Sequence, residues 1–311
     1  MKHLFIVNPA AGGKDKTEFV REKAAECFAG RDEEYEVYAT KAPMDARREI
    51  VRQSAPGQRL RVYACGGDGT LNECACGVYE AGNAQLTVFP TGTGNDFIKM
   101  FGAESRRFFD LRELVDGEER PVDLMLCNGR PSINICSVGV DARIGVDVHK
   151  YSSLPLVGGA TAYVVSTLAN FVRGISQRAT VYCGGQVFDG ELALACACNG
   201  RYYGGGFNPV PDARPDDGLI DFLIIPRVSR ATFVMLVGQY ARGKYASYPK
   251  LIRHVRAREM TIEADGEFVI NIDGEAAFAR RAEISLLPGA VPFIFPSQMA
   301  FFASRKEKKR V

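Results

Sequence analysis

Three short apolar runs near the start of the chain are each followed at once by a glycine-rich polar turn. Leu4–Val7 leads into Asn8-Pro9-Ala10-Ala11-Gly12-Gly13, Arg59–Cys65 into Gly66-Gly67-Asp68-Gly69-Thr70, and Gln85–Phe89 into Pro90-Thr91-Gly92-Thr93-Gly94-Asn95-Asp96. Helix-periodic stretches lie between them. Val20, Ala24, Cys27 and Phe28 fall on one helical face, Met44–Ser54 and Leu71–Tyr79 read as helices, and Glu36–Thr40 reads as a further strand. Strands alternating with helices predict a parallel, doubly wound α/β domain. Such a sheet binds ligands beyond the carboxyl ends of its strands, where all three turns fall.

The pattern changes near Val122. From there to about Pro288 short strands dominate: Pro131–Val138, Ala179–Cys183, Gln186–Asn199, Gly218–Pro226, Glu259–Ala264, Val269–Asp273 and Ala282–Leu287. Cys183-Gly184-Gly185 and Asp265-Gly266 read as turns between some of them, and helices are expected near 158–174 and 229–242. The expectation is an α/β plus β architecture. A nucleotide-binding α/β domain covers residues 1–124, and a β-rich domain, a sandwich, covers 125–288. A cleft between two such domains is the default place for a ligand.

Composition bounds the function. The 311 residues are 46% hydrophobic and 24% charged, enough to bury a core and to exclude general disorder. A net charge of +2 argues against a nucleic-acid binder that works by bulk electrostatics. The tail from Arg305 to Arg310 holds five basic residues and Glu307, so it carries +4 and the rest of the chain −2. Such a tail is either solvated or rests on an anionic leaflet, at about 1 kcal/mol per basic residue. No export signal precedes Leu4–Val7, so a cytoplasmic chain with reduced thiols is expected. The nine cysteines form no C-x-x-C pair, and the three histidines make no H-E-x-x-H, so the cysteines read as small buried hydrophobes. Tyr151–Val172 is free of charge, but Pro155, Gly158, Gly159 and Asn170 within it point to a loop and a soluble helix rather than a membrane span.

The turns carry the chemistry. Glycines after a strand let the backbone approach a phosphate, and N–H groups at the next helix start favour anions. Asp68 amid the glycines suits a divalent cation between carboxylate and phosphates, and equally a tight turn with a capping Asp. No G-x-x-x-x-G-K-[ST] is present, so this is not a P-loop. Two such turns, each with an Asp, suggest one nucleotide held by adjacent loops. Near the other end, Asp273-Gly274-Glu275 follows Val269–Ile272, a strand end. Phosphorylating a hydroxyl needs a base beside the attacking oxygen, and Glu275 is of the right type; a plain turn with a solvated Glu is the bland alternative.

Taken together, Asn8-Pro9-x-x-Gly12, Gly66-Gly67-Asp68-Gly69-Thr70, Pro90-x-Gly92-Thr93-x-Asn95-Asp96-Phe97, Asp216-Asp217-Gly218 and Asp273-Gly274-Glu275 resemble, in order, the bacterial soluble lipid kinases of the diacylglycerol kinase type. The resemblance spans nearly the whole chain. It implies a nucleotide-binding α/β domain, a β-sandwich domain, and a C-terminal segment, 289–311, that returns to the first. It implies ATP contacts at Asn8, Pro9, Ala10, Ala11, Gly12, Thr40, Gly66, Gly67, Asp68, Gly69, Thr70, Leu71, Asn72, Glu73, Thr93 and Asn95. Asp68 would organise Mg²⁺ at the phosphates through water, and Glu275 would be the general base. Asp217, with backbone oxygens of Arg214 and Leu219, would hold a second, structural Mg²⁺. Asp96 and Asp123 would support the site. Lys99 stands where many relatives carry Arg, which keeps the charge but loses the bidentate fork.

The resemblance further implies ATP as co-substrate and a membrane lipid as acceptor, diacylglycerol foremost. It implies peripheral contact with the inner membrane face, through the basic tail or the apolar Phe293–Phe302 stretch, of which Phe293–Phe295 can equally be a core strand, no nucleic-acid partner, and compatibility with an edge-strand homodimer. Two other readings stand beside it. NAD kinases share the G-G-D-G-T turn and the two-domain plan, but not P-T-G-T-G-N-D-F or the late D-G-E. A non-catalytic lipid or nucleotide sensor would not need Asp68, Asp96, Asp217 and Glu275 intact.

Overall fold

The structure, a computed structural model, describes residues 1–54, 57–92, 94–144 and 176–303. Thr93, the charge-free run Tyr151–Val172, the helix expected near 158–174 and the basic tail Arg305–Arg310 lie outside the described residues. The chain divides into two units, Met1–Val122 with the segment from Gly289 onward, and Asp123–Pro288.

In the first unit, strands β1 (Lys2–Val7), β2 (Glu34–Ala39), β3 (Leu60–Cys65) and β4 (Ala84–Val88) alternate with helices α1 (Thr17–Phe28), α2 (Asp45–Gln53) and α3 (Asp68–Ala81). The strands lie parallel in the order β4-β3-β1-β2. Every residue of β3 and β4, and all of β1 after Lys2, is buried, as expected of strands covered on both faces. Val20, Ala24, Cys27 and Phe28 form the buried face of α1, as their spacing predicts. The register pairs Val7 with both Ala39 and Cys65, and Ala64 with Val88, so the strands end level. The chain leaves β1 to one side for β2 and returns on the other side for β3, which makes β1 the topological switch point of this sheet.

The periodicity did not foresee two short helices, α4 (Asp96–Lys99) and α5 (Leu111–Val115). Strand β5 (Glu118–Cys127) follows and carries the chain into the second unit. Its other strands are β6 (Arg130–Ser132), β7 (Ile135–Gly139), β8 (Gln177–Cys183), β9 (Gln186–Cys198), β10 (Ile220–Pro226), β11 (Arg253–Ala257), β12 (Glu259–Ile272) and β13 (Glu275–Phe295), with helix α6 (Arg230–Tyr240) after β10. The strand pairs within the β-sandwich-like second unit are antiparallel.

Three strand expectations need correction. Pro131–Val138 is not one strand: β6 and β7 are parted at Ile133-Asn134, where the backbone bends around a carboxylate described below. Asp265-Gly266 does not separate two strands, because β12 runs through it with only a register shift between Glu263 and Phe268. Ala282–Leu287 is the middle of the 21-residue β13, whose last residues belong to the first unit.

The final segment therefore returns to the first unit. Phe293 pairs with Leu86 of β4, and Thr87 Oγ1 donates to the Ile294 carbonyl at 2.8 Å. Phe293, Ile294 and Phe295 are fully buried. Phe295 meets Phe101, Phe108 and Phe302 edge-on. Phe293–Phe295 is thus a core strand, with Met299 and Phe302 buried as well. All nine cysteines are free and buried, and no helix among the described residues is long and apolar enough to cross a membrane.

Candidate functional site

The level strand ends of the first unit place three turns side by side. Asn8 N–H donates to the Cys65 carbonyl at 3.0 Å and Thr40 N–H to the Val7 carbonyl at 2.8 Å, so the ladder continues one residue past β1 and β2. Asn8 then folds its own turn: its Oδ1 accepts from Ala10 N–H at 3.0 Å, and its Nδ2 reaches Thr70 Oγ1 at 3.3 Å. Asn8, Thr40 and Gly66–Thr70 therefore meet at one edge of the sheet. Leu71 and Asn72 are buried in the first turns of α3, so any ligand they touch is met mainly through the backbone.

The second and third turns are locked together. Gly92 N–H donates to the Gly66 carbonyl at 3.0 Å, and Asp68 N–H to the Gly94 carbonyl at 3.1 Å. A Cβ at Gly92 would stand 2.7 Å from Gly67 N and 2.9 Å from Gly66 C, and one at Gly67 would stand 2.7 Å from Gly94 O. These glycines are there for close backbone approach, not for unusual dihedrals. Asp68 completes the lock: its two carboxylate oxygens accept from Asp96 N–H at 2.9 Å and Phe97 N–H at 3.0 Å. The carboxylate thus caps α4, the helix of the neighbouring turn, rather than its own helix. Burial raises the Asp68 pKa, and the two N–H groups pull against that. Asn95 Nδ2 donates to the Gly92 carbonyl at 2.8 Å, and buried Asp96 pairs with Lys99. Lys99 therefore neutralises a carboxylate within its own turn.

Gly92→Ala is expected to pry the two turns apart. The overpacked backbone should cost about 1–3 kcal/mol of stability and weaken the nucleotide binding proposed below at least about tenfold, which is 1.4 kcal/mol. Thermal melting and titration with an ATP analogue check it.

The second unit holds the remaining candidates in two turns. Ile272 pairs with Glu275 across Asp273-Gly274, whose φ values of 48° and 94° are both positive, as a type I′ hairpin turn requires. Glu275 is exposed at the start of β13. Asp273, which sequence reasoning left without a role, clamps the bend between β6 and β7. Its carboxylate accepts from Ser132 Oγ at 2.8 Å and from the N–H groups of Ile133, Asn134 and Ile135 at 2.7, 3.2 and 2.7 Å. Burial outweighs those donors and leaves its pKa raised to about 6.

The other turn is Asp216-Asp217-Gly218. Buried Asp123 accepts from Gly218 N–H at 2.8 Å and donates its own N–H to the Pro215 carbonyl at 2.6 Å. Fully buried Asn199 ties this turn to the clamp: its Nδ2 donates to the carbonyls of Asp123 at 2.9 Å and Ile133 at 2.7 Å. Asn199 gave no sequence signal, because its partners lie 76 and 66 residues away.

Asp217 does not offer a free carboxylate. One oxygen accepts from Leu219 N–H at 3.1 Å and the other from the Arg256 guanidinium. Arg256 also lies 3.3 Å from Asp221, which accepts from His254 at 2.6 Å if the facing ring nitrogen carries the proton. The Arg214 guanidinium is turned onto Asp216. No cluster of three or more His, Cys, Asp or Glu among the described residues forms a metal site. Arg256 already supplies the positive charge at Asp217, so the arrangement fits a second divalent ion only if that guanidinium is displaced.

One further carboxyl is perturbed. Burial raises Asp141, just past β7, to about 6, although Ala142 N–H donates to it at 2.7 Å and Tyr203 Oη lies at 3.4 Å. A carboxyl that holds its proton more tightly when folded stabilises fully below its unfolded pKa of about 4 and loses that contribution as pH rises through about 6. Relative to Asp141→Asn, the wild-type chain is therefore expected to lose stability between about pH 4 and pH 7. Urea unfolding at the two ends of that range, followed by circular dichroism, checks the sign.

Level glycine-rich turns at the switch point of a doubly wound sheet, followed by a β-sandwich-like unit, define a two-part α/β plus β scaffold. Residues 2–127 match the diacylglycerol kinase catalytic domain and residues 134–295 the YegS C-terminal NAD kinase beta sandwich-like domain. The chain belongs to this lipid kinase family. It is 32% identical over 275 residues, 88% of either chain, to the "Probable lipid kinase YegS-like" of Pseudomonas aeruginosa PAO1. It is 29% identical to a diacylglycerol kinase of Staphylococcus aureus MRSA252, over 87% of this chain and 84% of that one. A crystal structure of a diacylglycerol kinase from Bacillus anthracis superposes with a TM-score of 0.68 at 23% identity, covering 94% of this chain and 96% of that one, a likeness of fold. A second structure from that organism gives 0.73 at 25% identity, with the same two coverages.

Proposed function

We propose that this chain transfers the γ-phosphate of ATP to the hydroxyl of a membrane lipid, diacylglycerol first among them, giving phosphatidic acid. The observation that carries the reading is the lock between the Gly66–Thr70 and Pro90–Asp96 turns, made by Asp68 and by glycines that admit no Cβ. It presents the start of α3 and the Asn8 turn together at the switch point, as binding of a nucleotide's phosphates requires.

In this reading the Asn8–Gly12 and Gly66–Glu73 turns, Thr40, Thr93 and Asn95 bind and orient ATP. Mg²⁺ arriving with ATP supplies charge neutralisation at the phosphates. A carboxylate has about four lone-pair sites, and the two N–H bonds to Asp68 leave room for contact with a hydrated ion through water. Glu275 takes the proton from the acceptor hydroxyl as its oxygen attacks phosphorus and the ADP oxygen leaves. Asp273 holds the turn from which Glu275 projects against the bend between β6 and β7, and Asn199 with Asp123 joins that bend to the turn of Asp217. The acceptor's home in a membrane makes peripheral attachment part of the proposal.

The test is a panel assay. Labelled ATP and Mg²⁺ are offered with diacylglycerol, monoacylglycerol, phosphatidylglycerol and sphingosine dispersed in detergent, and with NAD in water. Label in phosphatidic acid is the expected result. Label in NADP alone overturns the reading, and so does ATP binding with no labelled product.

A further inference from the structure

Beyond Arg230 at its start, the outward face of α6 lacks the polar residues that a solvent-facing helix carries. The helix turns Leu236 and Tyr240 inward, with Phe233 partly buried beside Val140, Ile144 and Val228. Its other side presents Ala231, Val234, Met235 and Val237, with Val234 61%, Met235 50% and Val237 39% exposed. After Arg230 the helix contains no charged residue. Three neighbouring large apolar side chains left this open on one short helix mark an interaction surface.

Charge identifies the occupant. From Arg227 to Lys250 the chain holds five basic residues, Arg227, Arg230, Arg242, Lys244 and Lys250, and no acidic one. All five are exposed. An eleven-residue helix is only about 16 Å long, so Arg227 and Arg230 at one end and Arg242 and Lys244 at the other bracket the apolar face. A second copy docking face to face would set cations against cations. An anionic bilayer instead accepts the apolar side chains at the headgroup boundary and the cations at its surface, where long basic side chains reach up to the phosphates.

We propose that α6 is the surface by which this chain docks on an anionic membrane leaflet. The proposal rests on the reading that the acceptor is a membrane lipid, and it places the attachment on the second unit rather than on the Phe293–Phe302 stretch, whose first three residues are core.

Vesicle sedimentation tests it. The wild-type chain is expected to sediment with phosphatidylglycerol vesicles, not with phosphatidylcholine vesicles, and to be released at about 1 M salt, where the Debye length falls to about 3 Å. Val234→Asp/Met235→Asp should weaken that binding at least about tenfold while phosphorylating detergent-dispersed short-chain diacylglycerol at the wild-type rate. Because the chain contains no Trp, Met235→Trp installs a single reporter whose emission should shift to the blue on phosphatidylglycerol vesicles. Equal sedimentation of the double variant and the wild type, or an unmoved Trp emission, overturns the proposal. So does a wild-type dimer in size-exclusion chromatography that the double variant splits while neither chain binds vesicles. If neither chain phosphorylates lipid but the sedimentation difference holds, the kinase reading fails and the docking surface stands.

Discussion

Glu275→Gln is expected to leave nucleotide binding intact and to lower lipid phosphorylation by about 10²–10⁴-fold, the usual contribution of a positioned general base. The substitution preserves shape and hydrogen-bonding capacity but removes the site that takes the proton. Glu275 is exposed at the exit of a two-residue hairpin turn, so Gln there should fold as the wild type does. Single-turnover phosphorylation beside titration with an ATP analogue separates chemistry from binding. An unchanged turnover removes Glu275 from the mechanism. A loss that tracks weakened nucleotide binding assigns it another role.

Asp273→Ala is expected to destabilise the second unit strongly. It strips one acceptor group from four donors, the Ser132 hydroxyl and the Ile133, Asn134 and Ile135 N–H groups. A buried donor left without a partner costs about 1–3 kcal/mol. Allowing for water reaching some of them, a total loss of about 3 kcal/mol is expected, or about 6–12 °C in melting temperature for a unit of this size. The Ala side chain also tolerates φ = 48° less well than Asp does. Activity should fall with the same variant, because the turn carrying Glu275 loses its anchor. A melting temperature within about 2 °C of wild type, less than 1 kcal/mol for this unit, contradicts the clamp. Glu275→Gln serves as the control, since it should melt like the wild type.

In the proposed mechanism the two variants divide one short motif into separate duties: Asp273 holds, and Glu275 reacts. From sequence the motif reads as a strand end followed by a turn with an acidic exit, and the resemblance directs attention to Glu275. Asp273 looks like an ordinary turn residue. Only the fold shows that its carboxylate fills a bend more than 130 residues away in the chain.

Local chemistry explains what was legible in advance. Continuous apolar runs mark β1, β3 and β4, because strands covered on both faces have no polar side to alternate with. Glycines mark the turns, because only they allow one backbone to lie against another. Those two signals, with the order of the motifs, determined the α/β class of the first unit, the place of the glycine-rich turns and the family.

The errors came where long-range pairing overrode local signals. Pro131–Val138 is broken by a distant carboxylate, Asp265-Gly266 is bridged by strands on either side, and β13 runs far beyond the apolar window that announced it. Tertiary structure alone decided that Asp68 caps the next turn's helix, that Arg256 sits on Asp217, that Asn199 joins two turns, and that Phe293–Phe295 is core. A hydrogen bond or an ion pair forms between groups brought within about 3 Å, and sequence separation sets no limit on which groups those are. Propensity and spacing reach only a few residues along the chain, so they determine elements and turns. Which carboxylate meets which donor follows from the register of strands whose partners lie a hundred residues apart.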